Sequence, residues 1–360
     1  MRTKNFLVFV CSMVLVSLFL IIFGQHKPET IQNIVTSTNQ QFKNFKDNLR
    51  DVQRKKLIAD EKYLKILGFT ENPRKFPDDV WKNTTLPVIV TYVTEGHHSQ
   101  AIGLINNVAR VLPNNTILVY NLGLSDYSLK SCLNHCNSSR CQVMTFDLSL
   151  FPSHVNDENS KAFRPLVIQD ALSRTGAIFF LESNYRMVRY VTAQTIFSLY
   201  NETVTGRGVT AWPMQLKNPV SSLTHKKMFE YFRTDVENFQ FLQMVEADYL
   251  ILVNKPTVRA DLMLPWVQCA LTSDCIVPIG AQSAGCKFDK RPLYRYSGCH
   301  SYDVSAMNIA LGLKYRLEEY SYNEPDDLFE AVSLSKANAE LKILELNSTT
   351  DGRTVQTEML

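Results

Sequence analysis

The sequence predicts an α/β domain, a mostly parallel mixed sheet with helices on both faces, preceded by one transmembrane helix and a stalk. Three observations point there. Strand-like and helix-like stretches alternate from Pro87 to Leu181, the order that builds parallel sheets. Ala177 to Leu181 is a continuous apolar run, the pattern of a strand buried on both faces. Phe6 to Gly24 is almost wholly apolar and uncharged, about 19 residues, enough for a hydrocarbon core of about 30 Å.

Arg2 and Lys4 precede that apolar run and favour a cytoplasmic amino terminus. A cleaved signal peptide is the alternative, but no small-residue cleavage pattern follows Gly24. The expected boundaries are a cytoplasmic tail over 1–5, a signal-anchor over 6–24 and a partly helical stalk over 25–85. A lumenal domain over 86–345 and a disordered polar tail over 346–360 complete the chain. Within the stalk, Phe42, Phe45, Leu49, Val52 and Leu57 recur at roughly helical spacing. Pro73, Pro77 and Asn83 mark its end.

The domain opens with Pro87 to Thr94, a β-branched strand ending in Glu95-Gly96-His97-His98. Ser99 to Leu112 reads as a helix, with Ala101, Leu104, Ile105, Val108 and Val111 apolar. Thr116–Tyr120 and Gln142–Phe146 read as strands, with a short helix or loop over Leu129–Cys136 between them. Phe163, Val167, Ile168, Ala171 and Leu172 line one side of the next helix, and Gln169, Asp170, Ser173 and Arg174 the other. Pro165 suits its first position and Gly176 the left-handed position past its end. Later stretches are less regular. Gln194–Tyr200, Lys226–Phe232 and Asp261–Leu271 read as helices, and Val209–Trp212 and Tyr249–Val253 as strands.

A 360-residue chain with 45% hydrophobic content is one large domain plus an anchor. The net charge of +3 is small and scattered, and no Lys/Arg run is interleaved with aromatics, which excludes a nucleic-acid partner. Glycine-rich phosphate loops are absent, and the first strand lacks the glycine-rich turn of a methyltransferase. Five sequons, at Asn83, Asn114, Asn137, Asn201 and Asn347, point to the secretory lumen. So do seven cysteines outside the anchor, which fall in two clusters and suit disulfides. Seven is odd, so one thiol is free or links a second chain as a disulfide-bonded dimer. Cys132, Cys136 and Cys141 fit no common zinc spacing and read as a disulfide loop.

Chemistry is expected outside the carboxyl ends of the strands. Glu182-Ser183-Asn184 follows the fourth strand directly. A carboxylate there can hold Mn²⁺ or Mg²⁺ against a diphosphate leaving group, as lumenal enzymes that use nucleotide-sugars do. Here the second position is Asn, which weakens such a metal site; alternatively Glu182 caps a helix or pairs with Arg186 or Arg189. Thr94, Glu95, Lys161, Arg164, Asn184 and Arg186 flank the same rim and are candidates for binding the nucleotide-sugar. Asp303 or His300 can take a proton from an acceptor hydroxyl, or Asp303 can be a helix N-cap beside a disulfide-bonded Cys299. His97 and His98 are adjacent and point apart, so one ion cannot take both.

Four blocks carry a resemblance. Tyr120-Asn-Leu-Gly-Leu-Ser125, Phe163-Arg-Pro-Leu-Val-Ile-Gln-Asp-Ala-Leu172, Leu181-Glu-Ser-Asn-Tyr-Arg186 and Cys299-His-Ser-Tyr-Asp-Val-Ser-Ala-Met-Asn308 resemble the family called domain of unknown function 1647, from about Leu86 to Asn323. The resemblance implies a single-pass type II protein of the Golgi or another secretory compartment. Its lumenal domain would be similar to GT-A nucleotide-diphospho-sugar transferases, acting on a glycan or protein acceptor. The family name itself implies no activity. Asn121, Glu182 and Ser301 stand where the family usually has Asp, Asp and a basic residue. The alternative is therefore a catalytically inactive relative that binds glycans or a lumenal protein. The helix start at Asp303 to Asn308 also looks like that of glycogenin-like transferases, by analogy alone.

Overall fold

The computed structural model describes residues 11–19, 57–70, 86–288, 292–324 and 327–357. The chain divides into two compact units, residues 1–55 and 56–360. In the first, residues 11–19 are helical, with Met13, Val14, Leu15 and Phe19 exposed. The rest of the expected anchor, 6–24, lies outside the described residues. Among the described residues no helix is long and apolar enough to cross a membrane.

The second unit is the predicted α/β fold. Its strands are β1 (Val88–Val93), β2 (Ile117–Asn121), β3 (Cys141–Thr145), β4 (Ala177–Leu181), β6 (Val209–Pro213) and β7 (Val245–Val253), in the order β3-β2-β1-β4-β7-β6. β1 runs parallel to β2 and β4, and β2 parallel to β3. β7 is antiparallel to both β4 and β6. Residues of β1 alternate between two cores. Val88, Val90 and Tyr92 enter one, Ile89 and Val93 the other. That is the period of two expected of a strand covered on both faces.

α2 (His98–Val111) covers the second face, burying Ala101, Leu104, Ile105 and Val108. α3 (Asp126–His135) follows β2, capped by the Ser125 hydroxyl. α4 (Phe163–Thr175) covers the first face with Leu166, Val167, Ile168, Ala171 and Leu172. Pro165 is its third residue rather than its first, still within the turn where a missing N–H costs nothing. Gly176 ends it at φ +74°, the left-handed turn that favours glycine.

The side of α4 that reads as polar is buried too. Gln169 donates to the Leu67 carbonyl at 3.0 Å, and Asp170 accepts from the Tyr120 hydroxyl at 2.8 Å and from Arg174 Nε at 2.6 Å. This corrects the expected stalk. Residues 57–70, with α1 (Glu61–Ile66), pack on the domain, and Leu67 is wholly buried. Periodicity could not reveal it, because the partner of this polar face is a distant backbone carbonyl.

Further along lie α5 (Ala193–Thr205), α6 (Lys226–Tyr231), α7 (Leu264–Ala270) and α8 (Tyr302–Lys314). A second, small sheet pairs β5 (Tyr185–Met187) with β8 (Phe329–Ala331) antiparallel. α9 (Leu334–Thr357) is a second correction, since a helix runs through much of the tail expected to be disordered. Its Leu341 joins Ile102 of α2 and Cys132 of α3 in one buried cluster, which anchors the helix.

Three disulfides form: Cys136–Cys141, Cys269–Cys275 and Cys286–Cys299. The odd thiol outside residues 11–19 is Cys132, at 0% exposure, and burial pushes it up to about 11. A wholly buried thiol cannot reach another chain, so Cys132 gives no basis for the expected disulfide-linked dimer.

Candidate functional site

Strand order reverses between β1 and β4. β2 and β3 lie to one side of β1 and β4 to the other, so a crevice opens outside the carboxyl ends of this pair. β7 adds to the same rim because it is antiparallel. Its Tyr249 pairs with Leu181, so its first residues run past the end of β4, and the Glu182 N–H donates to the Asp248 carbonyl at 2.7 Å. The resulting cleft, about 260 Å³, is lined by Thr94, Gln100, Lys161, Glu182 and Asn184 among others.

Beneath it Arg164 gathers three carboxylates. Its Nη2 lies 2.8 Å from Glu182 Oε1 and 3.1 Å from Asp248 Oδ1, and its Nη1 lies 3.3 Å from Asp303 Oδ2. Glu182 Oε1 also accepts from the Tyr92 hydroxyl, and from Lys161 Nζ at 3.0 Å. Arg164 is 1% exposed, whereas the Lys161 side chain is 36% exposed and faces the cleft. Arg164 occupies the first turn of α4, where the helix dipole favours anions. Three carboxylates offset that unfavourable placement.

The charge states follow from this packing. Burial alone would lower the Arg164 guanidinium, but Asp303, Glu182 and Asp248 outweigh it and hold the group well above its ordinary range. Burial likewise pushes Glu182 up, while Arg164 and Lys161 bring it below the usual carboxylate value. For Asp303 burial wins over Arg164 and Lys161 and raises it to about 7. Glu246, two residues before Asp248 and half-buried, is raised to about 7 by burial and by Asp248.

The fold thus brings Glu182, Asp303, Arg164 and Lys161 together, with Thr94 and Asn184 at the cleft mouth. Asp303 is not the N-cap of α8. It lies in the first turn, and its carboxylate sits behind Arg164 rather than on the cleft. His300 is elsewhere. Its Nδ1 accepts from the His225 N–H at 3.2 Å, and its Nε2 lies 3.2 Å from the Ile276 carbonyl. With both nitrogens engaged and burial lowering it to about 4, this ring has no free lone pair for an acceptor.

Glu95 turns away to hold the start of α3, accepting from the Ser125 N–H at 2.7 Å and the Ser128 hydroxyl at 2.9 Å. Arg186 lies under α2, donating to the carbonyls of Ser183, Tyr185 and Gln100. His97 and His98 diverge, one bonded to Thr94 Oγ1 and the other packed on Tyr127. Asp248, Glu246 and Tyr92 are members that sequence reading misses. The alternation Val245-Glu246-Ala247-Asp248-Tyr249 was the available signal, since it extends β7 four residues upstream of the predicted start.

Mn²⁺ or Mg²⁺ on Glu182 meets a poor fit. Oε1 already faces a phenol, an ammonium and a guanidinium, and a dication there would sit beside two cations already in place. Among the described residues no group of three or more His, Cys, Asp or Glu is arranged to hold a metal ion.

Residues 42–169 match the family model described as protein of unknown function, DUF1647, which bears out the resemblance over that stretch; the blocks Leu181–Arg186 and Cys299–Asn308 lie outside it. The matched stretch begins within the expected stalk and ends inside α4. No curated protein matches the chain. Among solved structures, the bifunctional glycosyltransferase WbbM aligns at TM-score 0.39 and 14% identity, over 55% of this chain and 36% of its own. The mannosyltransferase Ktr4p from S. cerevisiae, in complex with GDP, aligns at TM-score 0.39 and 11% identity, over 73% of this chain and 80% of its own. Core-mannan synthase A from Aspergillus fumigatus, in its Mn/GDP form, aligns at TM-score 0.34 and 10% identity, over 66% and 77%. The chain spans 36% of WbbM and 62% of LgtC, a further structure it resembles. At these scores the likenesses are distant, and the chemistry of this site stands on its own geometry.

Proposed function

We propose that this chain is a glycosyltransferase of the secretory pathway, a single-pass type II membrane protein with its α/β domain lumenal. It would bind a nucleotide-sugar outside β1 and β4 and pass the sugar to a glycan or protein acceptor. One observation carries the reading: a polar cleft at the strand-order reversal, floored by a buried guanidinium with three carboxylates and edged by one half-exposed ammonium. Apolar burial alone would not place five charged groups there, because each costs free energy to desolvate. Three disulfides support an oxidising compartment.

Lys161 and Asn184 would hold the nucleotide-sugar, with Thr94 beside them in the cleft lining. An acceptor hydroxyl needs a group to take its proton near neutral pH. Glu246, half-exposed on β7 two residues before Asp248 and raised to about 7, suits that step better than buried Asp303.

The reading is tested by thermal unfolding of the purified full-length chain with UDP and GDP. A rise in Tm with one of them is the expected result. Indifference to every nucleoside diphosphate would count against it. The inactive, glycan-binding alternative draws support from Glu182 Oε1 being fully engaged. It expects Glu182→Ala to leave cellular function unchanged.

A further inference from the structure

We infer that Lys161 and Arg164 supply the positive charge at this rim, so that a nucleoside diphosphate binds here without a divalent cation. This rests on the functional reading above and deepens it. A metal in such a cleft has one electrostatic task when the nucleotide binds. It must bring the diphosphate oxygens and the carboxylates at the strand end together despite their like charge. In this chain that task has an occupant. Arg164 lies between Glu182, Asp248 and Asp303 at 2.8, 3.1 and 3.3 Å. Guanidinium stays charged at all relevant pH and its planar fork matches several carboxylates at once.

The second cation is the movable one. Lys161 Nζ touches Glu182 Oε1 at 3.0 Å, yet its side chain is 36% exposed to the cleft. Lysine carries a compact charge on a flexible stem. If the ammonium swings to a phosphate oxygen, Glu182 keeps the Tyr92 hydroxyl and Arg164. No buried carboxylate is stranded by the move. A dication arriving instead would have to displace Lys161 and crowd Arg164, both cations already seated on the same oxygen.

The backbone points the same way. Lys161 has φ +48°, in the left-handed region that non-glycine residues rarely adopt. Its N–H donates to the Asp157 carbonyl at 3.1 Å and its carbonyl accepts from the Arg164 N–H at 2.9 Å, which pins that conformation. Tyr302, directly before Asp303, is likewise left-handed at φ +44°. Two strained positions thus flank the two ends of one charge network, the pattern of a pre-organised site.

Titration calorimetry on the full-length chain tests this, with UDP and GDP each measured in EDTA and in MnCl₂. Dissociation constants in the two media should agree within about threefold, and Lys161→Met should weaken binding in EDTA about tenfold or more, the worth of one charge-assisted contact. Lys161→Arg should retain most of the affinity. Lys161→Asn, which tolerates positive φ, replaces the methionine variant if that one fails to fold. Binding that needs Mn²⁺, or binding in EDTA that ignores Lys161→Met in a folded protein, overturns the inference and leaves the functional reading standing. If neither nucleotide binds in either medium, both fall.

Discussion

Two arginines flank β4 in sequence, and both are buried, yet they are held in opposite ways. Arg164 is balanced by formal charges, the carboxylates of Glu182, Asp248 and Asp303. Arg186 is balanced by dipoles, the carbonyls of Ser183, Tyr185 and Gln100 at 2.8–2.9 Å. Burial lowers Arg186 to about 10, with Glu340 and Glu330 offsetting only part of that, whereas Arg164 is held well above its ordinary range. Carbonyls fixed by the backbone make Arg186 a clamp that ties β5 to α2. Ion pairs that can be exchanged make Arg164 the centre of a charge network that an incoming anion can join. Burial of an arginine therefore says little about function until its partners are known.

The sharpest way to break this contrast is Arg164→Met. It leaves three carboxylates around an apolar stub and should cost about 3–5 kcal/mol, the penalty for orphaning buried charges. Arg186→Met should cost less, about 1–3 kcal/mol, since only neutral acceptors lose a donor. Urea unfolding measures both, and equal losses would erase the distinction.

Removing the Cys286–Cys299 bridge, which closes the segment leading to Asp303, comes next. Its sequence separation of 13 corresponds to about 3 kcal/mol of loop-closure stabilisation. The double serine variant should lose that in thermal unfolding and loosen the Asp303 end of the network, while leaving Arg186 untouched.

Gly103→Ala probes the clamp. A Cβ there would lie 2.1 Å from Arg186 Nη2 and 2.9 Å from its Cζ, and the guanidinium is tethered, so about 1–3 kcal/mol of stability should be lost. Combined with Arg186→Met the loss should be less than additive, because the clash has gone. Strict additivity would mean that Gly103 does not hold the clamp.

A further effect is read by pH. Asp303 is raised from 3.8 to about 7, so the folded state binds its proton more tightly than the unfolded state does. Its contribution to stability is complete below about pH 4 and fades as pH rises through 7. Asp303→Asn lacks that loss. Its stability relative to the parent should rise with pH across that window, by no more than about 1.4 kcal/mol per unit. A flat difference would show that Asp303 is not perturbed.

Much of the sheet was legible. Ala177–Leu181 is an unbroken apolar run because both faces are covered, and Gly176 marks the turn before it. Strand and helix periodicities report which side meets apolar neighbours, so β1, β2, α2 and α4 could be read within a residue or two. The same signal is blind to polar partners. The covered side of α4 reads as solvent-facing because Gln169 and Asp170 are satisfied by Leu67 and Tyr120, and sequence spacing records neither. β7 was truncated at Tyr249 because the charged rim residues Glu246 and Asp248 interrupt its apolar run. His300 and Glu95 sit in suggestive motifs, yet a few degrees of backbone direction decide whether such a side chain meets the cleft or a neighbouring loop.

The antiparallel β7 has a consequence for synthesis. Arg164 leaves the ribosome early, but its counter-charges emerge at 182, 248 and finally 303. Until α8 docks, the guanidinium must stay hydrated, and the end of α4 cannot settle against the sheet. Charge neutrality at this one side chain therefore coincides with the arrival of the last structural layers, so a nascent chain becomes competent to hold an anionic ligand only when nearly all of it has been made.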